Sequence, residues 1–162
     1  MALKNNFNDL AYAKMEQGNF GFARASLTQG TGAQRIGCSA YRLEPGKKAF
    51  PYHFHHANEE AILVLAGQGV LRIGPEKLAV KPGDYLPFPV GAEYAHQMAN
   101  EGTETLVYLC FSTLDETEIV EYPDSNKLAV CAGAKPGLRP DQWKLRQIHQ
   151  KGATVGYYDG EE

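Results

Sequence analysis

Four of the five histidines fall close together at the centre of the chain: His53, His55, His56 and His96, with His149 apart in the tail. Side chains alternate across an extended strand, so His53 and His55 project from one face, while His56 faces away or begins a turn. A turn over residues 56–59 lets the chain fold back, which brings Glu60 near His55 across a hairpin. Imidazole nitrogens and a carboxylate converging on one point suit a single divalent transition metal: Fe, Mn, Ni, Zn, Co or Cu. Two histidines with a carboxylate make a facial triad; His96 adds a fourth donor and leaves one or two positions open. A His-x-His pair alone is a common coincidence. Glu60 and His96, each set off by turns, turn the coincidence into a candidate site. Ligating histidines must be unprotonated, so metal binding should weaken below about pH 6.5. No spacing supports a Ser-His-Asp or Cys-His arrangement.

The elements that must position these residues read as strands. Short apolar segments occupy residues 35–43, 49–55, 60–66, 70–73, 77–80, 85–88, 94–99 and 105–112, each stopped by a turn rich in Gly, Pro, Asn or Asp. The turns recur at roughly the 8–12 residue interval of an all-β sandwich or barrel. No helical pattern separates the strands, which disfavours a parallel α/β sheet. Before this run, Asp9 to Gln17 reads as a short helix capped by Asp9 and closed by Gly18, and Phe20 to Leu27 as a weak strand. After it, residues 127–132 read as a strand, residues 133–141 as a turn-rich stretch, and residues 142–150 as a short helix or an extended segment. The predicted organisation is an N-terminal extension (1–34), a β-barrel core (35–113) and a C-terminal strand and tail packed on the barrel (114–162).

Composition narrows the function classes. The chain has 162 residues, 43% hydrophobic and 22% charged, the profile of one globular domain. A net charge of −3 argues against nucleic acid or an anionic membrane as partner. The apolar runs 61–66 and 106–111 are far short of the ~20 residues that cross a bilayer. The first six residues carry no apolar core of a signal peptide. Three cysteines, Cys38, Cys110 and Cys131, lie far apart without a CxxC, which points to reduced thiols and a cytoplasmic protein.

The residues from Gly46 to Gly67 resemble the first motif of the cupins, G-x5-H-x-H-x(3,4)-E-x6-G. His53-Phe54-His55, Glu60 and Gly67 keep its spacing, with one extra residue between Gly46 and His53. Gly83 to Asn100 resembles the second motif, G-x5-P-x-G-x2-H-x3-N, with four residues in place of two between Gly91 and His96. The tail, with residues 121–127 and 157–161, resembles a group of small bacterial single-domain cupins of unassigned activity. The resemblance implies a double-stranded β-helix, or jelly-roll barrel, and a metal held by His53, His55, Glu60 and His96. Glu59 as the carboxylate would break the spacing to Gly67.

Around that centre, Tyr94 and Met98 share the strand parity of His96 and are candidates to line a cavity. Tyr108 is another; it shares one face with Cys110 and Ser112, and Val107, Leu109 and Phe111 form the other. The pattern alone leaves open which face points inward. His56 and Glu59 read as exposed turn residues and Asn100 as a turn-former. The function expected is a metal-dependent enzyme acting on a small oxygenated metabolite, of dioxygenase, isomerase or decarboxylase type. The alternative is a non-catalytic module that binds or senses a sugar or carboxylate. Exposed strand edges, together with the frequency of dimers among cupins, predict a homodimer.

Overall fold

The computed structural model describes residues 4–135 and 140–161. Residues 1–3, 136–139 and 162 lie outside it, and with them part of the first six residues and of the turn-rich stretch 133–141. Among the described residues there is no α-helix; thirteen strands and three 3-10 turns make the architecture.

The strands are β1 (Ala13–Gln17), β2 (Phe20–Ser26), β3 (Ile36–Leu43), β4 (Phe54–His55), β5 (Glu60–Ala66), β6 (Gly69–Ile73), β7 (Glu76–Val80), β8 (Tyr85–Phe88), β9 (His96–Ala99), β10 (Leu106–Thr113), β11 (Thr117–Tyr122), β12 (Lys127–Ala132) and β13 (Leu145–Gln150). One sheet has six strands in the order β1-β2-β3-β10-β5-β8, a second four in the order β13-β12-β11-β4, and a third three in the order β7-β6-β9. Every strand pairing is antiparallel. The arrangement is the expected all-β jelly roll.

One end of the sandwich is filled. Leu43, Val64 and Leu106 of the six-stranded sheet pack with Leu71, Val80 and Met98 of the three-stranded sheet in one buried cluster. Deleting a buried Leu side chain from such a cluster costs about 2–5 kcal/mol. Towards the other end the inward side chains become polar, and the sheets part around a cavity.

Four elements differ from the sequence expectation, beginning with residues 117–122, where no strand was expected and β11 pairs with β4 and β12. The segment 9–17 is not a helix: residues 13–17 pair antiparallel with β2 as strand β1. All five β1 residues are exposed, so no apolar helical face exists, and the neighbouring strand's ladder decides the conformation. The strand expected over 49–55 is regular only at Phe54–His55; Pro51, which has no N–H to give, sits in the irregular part. The strand expected from Tyr94 begins at His96, because residues 92–94 form a 3-10 turn. That turn takes up the two extra residues of the second motif. The ambiguous segment 142–150 is extended, as β13 on β12.

Candidate metal centre

The His-x-His segment bridges two sheets. His53 exchanges both backbone hydrogen bonds with His96, N to O at 3.1 Å and O to N at 2.8 Å. It is therefore directly opposite His96, with both side chains on one face. Two residues on, His55 pairs with Val120 of β11 in the four-stranded sheet. Glu60 opens β5 on the six-stranded sheet, where it pairs with Ser112 and Phe88. The Phe88 ring stacks on His96 at 3.7 Å between centroids and fixes the plane of that imidazole. Each donor thus comes from an element whose position is set by other contacts.

The imidazoles converge on one oxygen. The Nε2 atoms of His55, His96 and His53 lie 3.3, 3.5 and 4.0 Å from Glu60 Oε2. His53, Glu60 and His96 offer donor atoms all within 4.8 Å of one another; His55 joins them through Glu60. Each Nδ1 faces outward to an acceptor: Pro51 O for His53 at 2.8 Å, Tyr94 O for His96 at 3.0 Å, and Glu118 Oε2 for His55 at 3.3 Å. A carbonyl or carboxylate acceptor fixes the proton on Nδ1 and leaves the Nε2 lone pair facing the centre.

Charge and burial act on each group differently. Burial, then the neighbouring His96 and His55, lowers the His53 pKa to about 4, so its ring is neutral at physiological pH. Burial works downward on His55 too, but hydrogen bonds to Glu118 and Glu60 outweigh it and push its pKa up to about 9. For Glu60 burial works upward; hydrogen bonds from His55 and His96 and the charges of His55 and His53 hold its carboxyl well below the usual range.

Glu118, unmarked in the sequence, is the group behind the site. It is 6% exposed. Oε1 accepts the N–H of His56 at 3.2 Å, Ala57 at 3.1 Å and Ile119 at 2.8 Å. Oε2 accepts the N–H of Asn58 at 2.8 Å besides the His55 imidazole. One carboxylate so holds the turn after the His-x-His segment and orients His55. Its place on the buried face of β11 was the available signal, obscured by the acidic run 115–118.

The remaining candidates separate clearly. His56 turns outward to Glu121, at 2.9 Å. Asn100 is buried and holds a turn, donating to Leu43 O and Glu104 O and accepting from Gly102 N. Beside the His–Glu cluster lies a cavity of about 210 Å3. Met98 and Tyr108 line it, as does Cys110, so the Tyr108–Cys110 face of β10 is the inward one. Tyr94 is not among its lining residues: it ends the 3-10 turn and contributes its backbone oxygen to His96 instead. Burial raises the Cys110 thiol and the Tyr108 phenol well above their ordinary values, so both stay protonated.

The donor set fits a transition metal. Donors about 2.1 Å from one tetrahedral ion lie about 3.4 Å apart; the three His–Glu60 separations of 3.3–4.0 Å bracket that value, and His53, Glu60 and His96 are the donors mutually within 4.8 Å. His55 Nε2 is buried 3.3 Å from Glu60 Oε2, at the centre of the donor set, where an ion would displace its proton.

Comparison with known proteins gives the same picture. Residues 40–112 match the model of the cupin domain. Quercetin 2,3-dioxygenase of Bacillus subtilis is 36% identical over 67 residues, 41% of this chain but only 20% of that protein's length. The fold is similar to a protein of Acidithiobacillus ferrooxidans assigned as a sugar phosphate isomerase, with TM-score 0.79 and 26% identity over 92% of this chain and 90% of that one. It is also similar to a cupin-superfamily sugar phosphate isomerase of Silicibacter pomeroyi, with TM-score 0.78 and 22% identity over 96% and 98% of the two chains. Among the described residues no helix is long and apolar enough to cross a membrane. With both motifs and the jelly-roll fold around them, residues 40–112 form a cupin domain.

Proposed function

We propose that this protein is a metal-dependent enzyme acting on a small oxygenated metabolite, with His53, His55, Glu60 and His96 holding one divalent transition metal. The observation that carries the reading is the convergence of three imidazole Nε2 atoms on Glu60 Oε2, each Nδ1 tied back by an acceptor. Such an ion, when bound, supplies Lewis-acid polarisation of a substrate oxygen or redox chemistry with O2.

The chain's own residues bound the substrate. At about 210 Å3 the cavity is smaller than the roughly 300–1,000 Å3 of pockets for drug-sized ligands. That favours a compact acid, diketone or sugar derivative over a polycyclic substrate. Met98, Ile62 and Phe50 make an apolar wall that excludes water. Tyr108 and Cys110, held protonated, act as hydrogen-bond donors rather than bases. Within the three reaction types, the isomerase has support along nearly the whole chain, through the Acidithiobacillus ferrooxidans protein. The dioxygenase has support over 67 residues. The three cysteines, all free thiols, are consistent with a cytoplasmic location.

The test is a thermal-shift screen of carboxylates, diketones, sugars and sugar phosphates on metal-loaded protein, repeated after chelation. Metal-dependent hits then enter assays for isomerised product, CO2 and oxygen uptake. Turnover of a metal-dependent hit supports the enzyme. Stabilisation equally strong without metal overturns it, and metal-dependent binding without turnover across hits and metals assigns the chain to binding or sensing.

A further inference from the structure

The cavity beside the His–Glu cluster is polar at one end and apolar beyond it. Side chains two residues apart on a strand share a face and stand about 6.7 Å apart. One such step from Glu60 along β5 is Ile62, and one step from His96 along β9 is Met98; both line the cavity. Cys110 of β10 is in register with Ile62. A further step along the same sheet, Tyr108 of β10 pairs with Val64 of β5 and with Tyr41 of β3. The two phenol rings stack at 5.2 Å between centroids with their planes 9° apart, and both line the cavity.

Phe50 and Tyr122 stand beside the donors. Each ring centroid is 6.2 Å from that of His53, and both residues line the cavity. The polar side chains of the walls are engaged or neutral. Gln97 donates its amide to Phe50 O at 2.7 Å. Burial pushes the Tyr41 and Tyr108 phenols and the Cys110 thiol above their ordinary values, so all three stay uncharged. Among the described lining residues, the groups that carry charge are Glu60 and the imidazoles, all at the metal end. Arg24, outside the lining, is engaged with the Ser39 hydroxyl and the Tyr41 side chain.

An anionic group pushed past the cluster would leave water without a cation to meet, and burying an unpaired charge is strongly unfavourable. A methylene or a ring face in the same place gains contact instead. We propose that the substrate is a single-headed chelator: two neighbouring oxygens at the His–Glu cluster, and a compact apolar body, free of a second ionised group, lying against Ile62, Met98 and the Tyr41–Tyr108 pair. This rests on the metal-dependent reading above and narrows its substrate class to apolar-bodied hydroxy acids, diketones or diols, away from sugars and sugar phosphates. The cavity of about 210 Å3 limits the body to one ring or a short branched chain.

The test is calorimetric titration of full-length protein loaded with Zn2+, which is redox-inert, using two probe pairs with a shared head. Lactate and 2-hydroxy-4-methylpentanoate carry the same hydroxy-acid chelate and differ by an isopropyl group. 4-Methylcatechol and 3,4-dihydroxybenzoate carry the same diol chelate and exchange a methyl for a carboxylate, held by the ring away from the chelated ion. The branched acid should bind at least about tenfold tighter than lactate, since each buried methylene is worth about fourfold. 3,4-Dihydroxybenzoate should bind at least about tenfold weaker than 4-methylcatechol. Met98→Gln should shrink the preference for the branched acid at unchanged zinc content, and Leu78→Gln, at an exposed position of β7, should leave it intact. A wild-type ratio near one in either pair, tighter binding of 3,4-dihydroxybenzoate, or no binding of any probe overturns the proposal, whether or not the variants fold. So does a preference that Met98→Gln leaves unchanged. Probe binding that persists undiminished after zinc is removed counts instead against the metal-dependent reading, so the two failures are distinguishable.

Discussion

Replacing Glu118 by Gln isolates the role of one carboxylate. Gln keeps shape and volume, and its amide oxygen can still accept the three N–H groups that meet Oε1. The amide nitrogen then stands where Oε2 was. It turns a donor towards two donors, the Asn58 N–H and the His55 Nδ1–H. Each buried donor left without an acceptor costs about 1–3 kcal/mol, so the metal-free variant should be less stable by about 2–6 kcal/mol. The effect on metal comes through His55. Without an acceptor at Nδ1, the imidazole is free to carry its proton on Nε2, the atom that faces Glu60. Loss of such an outer partner typically weakens metal binding about 10–100-fold. Urea denaturation of metal-free protein measures the first effect and calorimetric titration with Zn2+ or Mn2+ the second. An E118Q protein with wild-type midpoint and wild-type metal affinity would refute the assignment of Glu118 as the holder of His55 and its turn.

Raising the pH should strengthen metal binding and weaken the metal-free fold. The His55 pKa is raised to about 9, so metal must displace a proton from it, and affinity should climb about tenfold per pH unit between about 6.5 and 9; titrations at pH 6.5 and 8 check it, and a flat profile contradicts it. In the metal-free protein the same raised pKa contributes stability that is fully present below about pH 6.5 and is lost as pH rises through 9. Gly67→Ala should destabilise the fold by at least about 2 kcal/mol, because φ is +74° there and a Cβ would lie 2.4 Å from Thr105 O; an unchanged melting temperature would contradict it. Light scattering should give twice the 17.8 kDa chain mass, since β1 and β13 expose all their residues at sheet edges; the mass of one chain at micromolar concentration contradicts it.

The centre of the site was legible because its spacing survives the irregularities around it. Gly, Pro and Asn turns marked the ends of β5, β8 and β10, and alternation placed His53 and His55 together. The sequence could not reveal that these two histidines belong to different sheets, since that depends on His53 pairing with His96 and His55 with Val120. Glu118 was hard to read for a related reason. It meets His55 across 63 residues of sequence, and the acidic run 115–118 hides its alternation with Val120 on the buried face of β11. The segment 13–17 misled because an exposed stretch carries little periodic signal, and the β2 edge decides its conformation. The reference pKa of free histidine set the expected pH limit near 6.5; two carboxylates on His55 move it upward.

The most direct test of the central claim is elemental analysis of protein purified without added metal, wild type beside His53→Ala/His55→Ala. The account predicts about one divalent transition metal per wild-type chain, the capacity of one such donor cluster, and a trace in the folded double variant. Full stoichiometric metal in the double variant, or wild-type protein that stays metal-free even after incubation with Zn2+, Mn2+ and Fe2+, would contradict it.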